Sequence, residues 1–361
     1  MQNQVIELSK RGHRFLKSRR YADARNLFEQ ALSLDSANPY VLTGLGDLMR
    51  NIKDFKAATG YYQQVLQLDP NNLFSLRGLG DSLRGQQQHR QAIDCWERYL
   101  NLRPTDIFVL TRVADSYKHL DNYESSLTHY QRALAAAPHD RYALMGLADL
   151  YHKTAQDQLA IEFYERALAA GVQLISILTI VGNLYWRRSE YEKARGYYEQ
   201  ALAQDRFNSY ALYGLGNYYR LQCDYWKSIE LWERIRERSE GTVNMLTRLG
   251  DAYRNVGELA KAQAVYLESL QRGYDKFTQV GMTKLHCLQG RYEAAWACYD
   301  DILRHEGEDK RFALEIADQL ETSGDRQAAM AFLNHALEAQ KDNPAVVAIF
   351  TGRLELMAAQ A

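Results

Sequence analysis

Pro39-Tyr-Val-Leu-Thr-Gly-Leu-Gly-Asp-Leu-Met-Arg50 is followed, 34 residues later, by Leu73-Phe-Ser-Leu-Arg-Gly-Leu-Gly-Asp-Ser-Leu-Arg84. The second stretch repeats the first position by position in chemistry: an aromatic, then Leu, Gly-Leu-Gly-Asp, an apolar residue and Arg. Working outward from this pair, a small residue recurs at the same step of 34 through Gly12, Gly46, Gly80, Ala114, Ala148, Gly182, Gly216 and Gly250. Twelve residues further on runs Ala24, Ala58, Ala92, Ser126, Ala160, Ala194, Ser228 and Ala262. Four beyond that runs an aromatic column: Phe28, Tyr62, Trp96, Tyr130, Tyr164, Tyr198, Trp232 and Tyr266. Three chemically distinct columns sharing one period define a repeat array.

With the small residue placed at position 8, units start at Val5, Pro39, Leu73, Ile107, Arg141, Ile175, Ser209 and Val243. Large apolar residues at positions 4, 7 and 11 join the small residue on one face of an α-helix. Six of the eight small residues are Gly, at a cost of roughly 1 kcal/mol each against Ala in a helix interior. Close packing at that position therefore decides the choice. Turn signals such as Asn51-Ile-Lys-Asp-Phe55 and Asn255-Val-Gly-Glu-Leu259 precede a second helix carrying the Ala and aromatic columns. All five prolines, Pro39, Pro70, Pro104, Pro138 and Pro344, fall at unit junctions, where a missing N–H and a fixed φ do no harm.

A helix–turn–helix of 34 residues reading Leu-x-x-Leu-Gly-x-x-Tyr, Ala-x-x-x-Tyr-x-x-Ala and then Pro resembles the tetratricopeptide repeat (TPR) family. The resemblance runs from Val5 to about Asp342. It implies an all-α, right-handed solenoid or superhelix of about ten units. The expected organisation is a regular array of eight units over residues 1–275, two degenerate units over 276–343, and a capping helix over 344–361. The ninth unit starts one residue early, at Lys276, with Thr283 and His286 on its packing face, and a tenth begins near Lys310. Weaker packing or a change of pitch is expected around residues 270–311, which include the charged run His305-Glu-Gly-Glu-Asp-Lys-Arg311. The last helix carries Ile349, Phe350, Leu356 and Met357 on more than one face, which suits either a cap or a dimer contact.

Composition excludes several functions. Lys+Arg total 44 against Asp+Glu 45, a net charge of −1, which argues against nucleic-acid binding by bulk charge. No apolar run reaches membrane-spanning length. The start of the chain lacks a secretory pattern and the four cysteines form no Cys-x-x-Cys pair, so a cytoplasmic protein with reduced thiols is expected. Gly44-x-Gly46 and Gly78-x-Gly80 lie inside helices and follow no strand, so they are not phosphate loops. The nine histidines show no metal-ligand spacing, and no nucleophile elbow is present. No catalytic residue, metal or cofactor is expected.

The resemblance implies that positions 2, 5, 9 and 12 of the first helices face a concave, ligand-binding groove. Position 2 is aromatic at Tyr40, Phe74, Phe108, Tyr142 and Tyr210. Position 9 is acidic or amide at Asp47, Asp81, Asp115, Asp149, Asn183, Asn217 and Asp251. Position 12 is basic at Arg50, Arg84, Lys118, Arg220 and Arg254; Arg77 at position 5 and Trp186 at position 12 complete the candidate set. Two readings stay open. The rows hold a partner peptide, or Asp47–Arg50, Asp81–Arg84, Asp115–Lys118 and Asp251–Arg254 simply pair along their helices and the position-2 tyrosines pack against the neighbouring unit. A heat-shock-type carboxylate clamp is not expected, because Gly214 stands where a second Asn would follow Asn183. The asparagine ladder of TPR glycosyltransferases is likewise missing at position 6. The basic run Lys10, Arg11, Arg14, Lys17, Arg19, Arg20 has no acid among residues 8–22. The function expected is a protein–protein interaction scaffold or adaptor. The alternatives are a self-assembling structural protein and an accessory subunit of an enzyme complex.

Overall fold

A computed structural model describes residues 2–322 and 324–359, so Met1, Gln360 and Ala361, at the ends of the expected first and last segments, lie outside it, as does Ser323. Among the described residues every regular element is an α-helix. The chain divides into two compact units, Met1–Leu174 and Ile175–Ala361. The first contains α1 (Gln2–Lys17), α2 (Tyr21–Leu34), α3 (Pro39–Asn51), α4 (Phe55–Leu68), α5 (Leu73–Gly85), α6 (His89–Leu102), α7 (Ile107–His119), α8 (Tyr123–Ala136), α9 (Arg141–Lys153) and α10 (Asp157–Ala169). The second contains α11 (Ile175–Arg187), α12 (Tyr191–Gln204), α13 (Ser209–Leu221), α14 (Tyr225–Arg236), α15 (Val243–Asn255), α16 (Leu259–Leu270), α17 (Lys276–Leu288), α18 (Tyr292–Glu306), α19 (Arg311–Thr322), α20 (Arg326–Ala339) and α21 (Pro344–Ala359). Within each unit, successive antiparallel helix pairs stack into a solenoid.

Seven first helices, α3, α5, α7, α9, α13, α15 and α17, begin on an Asn, Asp or Thr cap. Asn38 accepts from Tyr40 N and Val41 N, Asn72 from Ser75 N, Asp106 from Val109 N, Asp140 from Ala143 N and Asn208 from Ala211 N. This column at position 34 is readable in the sequence and is the start signal that the proline argument alone leaves incomplete. Each first helix ends on a residue in the left-handed region. Seven of these are not glycine: Arg19, Lys53, Gln87, Asp121, Ala155, Ser189 and Cys223. Gly257, Gly290 and Gly324 take the same role in the later pairs.

The aromatic column forms the core. Phe28, Tyr62, Trp96, Tyr130, Tyr164, Tyr198, Trp232, Tyr266 and Tyr299 are all fully buried. Each ring presses on the small residue of its own first helix. A Cβ added to Gly46 would sit 2.7 Å from Tyr62, and one added to Gly80 would sit 2.4 Å from Trp96. The glycine at position 6 of the following pair covers the ring's outer edge: a Cβ on Gly78 would lie 2.4 Å from Tyr62 Cζ. Position 8 is thus small to admit a ring from its own second helix. Arginines on the second helices tie each pair to the preceding junction: Arg98 donates to Pro70 O at 2.7 Å, and Arg132 to Pro104 O at 3.5 Å.

Four hydroxyls enter the core between α15 and α17. Thr247, Ser269, Thr278 and Thr283 are buried, with Thr247 Oγ1 and Thr278 Oγ1 2.6 Å apart. The charged run before α19 is anchored at one residue. Asp309 is buried and accepts from Phe312 N at 2.9 Å, while Gln340 bridges Tyr299 Oη and Asp309 O. On α21, Val346, Phe350 and Met357 pack inward and Ile349 and Leu356 face solvent.

Hydroxyls bury less apolar area than the methyls they replace. Amides of α17 are therefore expected to exchange with deuterium faster than those of α3 and α4, whose buried side chains carry no such aliphatic hydroxyl, and equal protection in hydrogen-exchange measurements would refute looser packing there. The two classes of glycine separate by denaturant unfolding. Gly80→Ala overpacks against the rigid Trp96 ring and costs about 1–3 kcal/mol. Gly257→Ala meets open space at φ +81° and costs only the backbone strain of about 1 kcal/mol. Asn, which tolerates that region, recovers part of the loss at position 257 and none at position 80.

Candidate functional site

The position-2 rings stand out from the first helices instead of packing between them. Tyr40, Phe74, Phe108, Tyr142 and Tyr210 are each 66–78% exposed. Phe277, at position 2 of the slipped ninth unit, is exposed to the same degree; it belongs to this row and follows from starting that unit at Lys276.

The position-9 row is less exposed by contrast, with Asp81 and Asn217 buried, and most of its members bond to the core rings. Tyr62 Oη donates to Asp47 at 2.7 Å, Tyr130 to Asp115 at 2.5 Å, Tyr164 to Asp149 at 2.6 Å, Tyr198 to Asn183 at 2.7 Å and Tyr266 to Asp251 at 2.7 Å. The core ring of the second helix thus ends its hydroxyl on the groove row of the first. Arg50 pairs with Asp47 at 3.1 Å, Lys118 with Asp115 at 3.4 Å and Arg254 with Asp251 at 3.0 Å. The expected Asp81–Arg84 pair is not the one formed. Asp81 is buried and takes Arg50 at 3.0 Å and Arg112 at 2.6 Å, from the first helices on either side. The reason lies one column away. Its unit carries Trp96 at position 24, which has no hydroxyl to offer, and the arginine at position 6 of the next unit fills that place. Arg84 lies instead over the Trp96 ring, 5.8 Å from its centroid. The signal was present in the sequence: Arg occurs at position 6 only at Arg112 and Arg248, each following a Trp at position 24.

The other candidates are scattered in role. Among the described residues Arg77, Arg84 and Arg220 make no ion pair, while Trp186 packs edge-on against Tyr191 at 4.8 Å. In the first unit two cavities open on the first-helix face. One of about 420 Å³ is walled by Arg84, Phe108, Arg112, Lys118, Tyr142 and Met145. The other, of about 1050 Å³, is walled by Ile6, Lys10, Arg14, Tyr40, Thr43 and Phe74. The N-terminal basic run thereby contributes Lys10 and Arg14 to a groove wall, whereas Arg20 pairs with Asp23 at 2.8 Å.

Burial pushes the Cys95 thiol up to about 11 and the Cys287 thiol up to about 12, so neither offers a thiolate at neutral pH. No group of three or more His, Cys, Asp or Glu side chains is placed to hold a metal ion among the described residues. No described helix is long and apolar enough to cross a membrane.

Models of the tetratricopeptide repeat match residues 9–72, 106–170, 182–241 and 243–272. The chain belongs to the tetratricopeptide repeat family. No curated protein sequence matches it. Among solved structures it is similar to PilF of Pseudomonas aeruginosa (TM-score 0.50, 16% identity, 62% of this chain and 98% of that one). It is also similar to PilW, a type IV pilus biogenesis factor (TM-score 0.51, 16% identity, 57% and 96%). MamA aligns over 46% of this chain and 92% of its own at 24% identity with a TM-score of 0.44. At such identities the likeness speaks to fold alone.

The tyrosine–carboxylate row makes a pH prediction. Burial first, and the neighbouring carboxylate second, hold the hydroxyls of Tyr62, Tyr130 and Tyr266 far above their ordinary 10.0. A folded-state value above the unfolded one means stability intact below pH 10 and lost as pH rises past it, by about 1.4 kcal/mol per pH unit for each such tyrosine. Melting temperature should fall steeply above pH 10, with tyrosinate absorbance from these residues appearing only on unfolding. Replacing Tyr62 and Tyr130 by Phe should flatten that slope, and an unchanged slope would refute the assignment.

Proposed function

We propose that the chain is a protein–protein interaction scaffold that binds an extended peptide or a helix of a partner protein along its first-helix faces, without catalysis. The observation that carries this is the contrast between two rows of the same helices. The polar row is engaged internally at Asp47, Asp81, Asp115, Asp149, Asn183 and Asp251, but the aromatic rings Tyr40, Phe74, Phe108, Tyr142 and Tyr210, each at least 66% exposed, stand out from the described residues. Large apolar rings repeated along one face are anchors for side chains of a ligand, and aromatic residues are where interface energy concentrates. The cavities beside Phe108 and Tyr142, and beside Tyr40 and Phe74, give the first unit recesses for those side chains. The Asp and Arg rows then act as the frame that holds the rings at fixed spacing, and Asp47, Asp115, Asp149 and Asp251 serve the ligand only through that frame. Ile349 and Leu356, exposed on α21, favour a second reading in which copies associate through this helix; measuring mass in solution over a wide concentration range tests it.

Affinity capture from native lysate, read by mass spectrometry, identifies the partner. A variant with Tyr40, Phe74, Phe108 and Tyr142 changed to Ala should lose that partner at least tenfold. Its melting temperature should be nearly unchanged, because exposed side chains contribute little to folding. Undiminished capture by this variant would overturn the proposal.

A further inference from the structure

Two members of the position-9 row share a Trp at position 24 and an arginine from the next unit, but differ in their own charge and in position 12 of the preceding unit, which is Arg50 before Asp81 and Trp186 before Asn217. Asp81 and Asn217 are both buried, both belong to units with a Trp at position 24, and both receive an arginine from position 6 of the next unit. Both also have an arginine three residues on, Arg84 and Arg220. In the first unit the Asp81 carboxylate neutralises this setting by taking Arg112 at 2.6 Å and Arg50 at 3.0 Å. In the second unit the acceptor is a neutral amide. Asn217 Oδ1 accepts from Arg248 Nη1, and Arg248 Nε donates to Asn244 Oδ1 at 3.0 Å, so that guanidinium is held by two amides.

Asp251 attracts Arg248, and the guanidinium lies over the Tyr213 ring at 5.6 Å, but no carboxylate forms an ion pair with it among the described residues. Arg220 makes no ion pair among the described residues, and its Nε is buried without a hydrogen-bond partner. It lies close enough to Arg248 to oppose that group's charge. The adjacent carboxylate, Asp251, is engaged by Arg254 at 3.0 Å and Tyr266 at 2.7 Å. Asn217 Nδ2 donates to no protein acceptor, and an aspartate there would repel what the amide can receive. A guanidinium left without a counterion in a part-buried site is costly, and an arriving carboxylate recovers that cost in charge-assisted bonds.

We propose that Asn217, Arg220 and Arg248 form a receptor for the carboxylate of a Glu or Asp side chain in the bound partner segment. The proposal rests on the groove reading above and adds to it a charge requirement at one place. The partner segment is acidic where it crosses α13 and α15.

The test uses the full chain and a matched peptide pair, acetyl-Leu-Glu-Leu-Glu-Leu-Glu-Leu-amide and its glutamine twin, titrated at low and at moderate salt. The wild-type chain should prefer the glutamate peptide at least tenfold, and the preference should shrink as salt rises. Asn217→Asp installs the charge that Asp81 already carries, and it should fold with an unchanged or higher melting temperature and lose the preference to within about twofold. A preference retained by Asn217→Asp, or absent from the wild type, overturns the proposal. Stabilisation by inorganic phosphate at matched ionic strength, with no distinction between the two peptides, overturns the assignment to a side-chain carboxylate. The aromatic-ring variant fails separately. If it still captures the partner while Asn217→Asp loses the glutamate preference, the groove reading falls and the anion site stands.

Discussion

Everything in the structure hangs on one contact made anew in each pair: a fully buried ring from the second helix laid against a residue of the first helix that has almost no side chain. At Tyr62 the ring lies where a Cβ on Gly46 would be 2.7 Å away, and the next pair presents Gly78 to its far side. Three helices therefore meet around one ring, which carries the stacking from one pair into the next. An array bonded only to its neighbours has no other means of extending order. The glycines weaken their helices locally, and the ring returns far more in buried area than that weakening costs.

The same ring couples core to surface. Its hydroxyl ends on the position-9 carboxylate, so the residue that fills the interior also orients the polar row. Where the ring is Trp the hydroxyl is gone, and the array compensates with an arginine from the following helix at Arg112 and Arg248. That substitution is what allows charge to vary on the face. With tyrosine, the carboxylate is tied to the core; with tryptophan, Asp81 becomes one member of a cluster with Arg50 and Arg112, and Asn217 accepts from Arg248. The exposed rings at position 2 take no part in this coupling.

Much of this was legible before any coordinates. The period, the helix phase, the early start at Lys276 and the helix from Pro344 onward all follow from columns that must repeat if the core is to repeat. The exposed character of Tyr40, Phe74, Phe108, Tyr142 and Tyr210 was not legible, because an aromatic at a helix start packs between units or points away from them with the same spacing. Nor was the partner of Asp81. A pair three residues apart on one helix looks satisfied on paper, yet Arg50 and Arg112 reach the buried carboxylate from outside its helix and Arg84 does not.

The sequence by itself thus determined the repeat, its phase and the identity of the packing columns, since helical periodicity is a property of the local chain and proline and glycine punctuate it. Only the tertiary structure decided which side chains are spent on holding the array together and which are left for something else. That division depends on distances between helices some thirty residues apart in the chain, and on whether a hydroxyl or a guanidinium arrives first at a given carboxylate. Neither is written in the spacing of the columns.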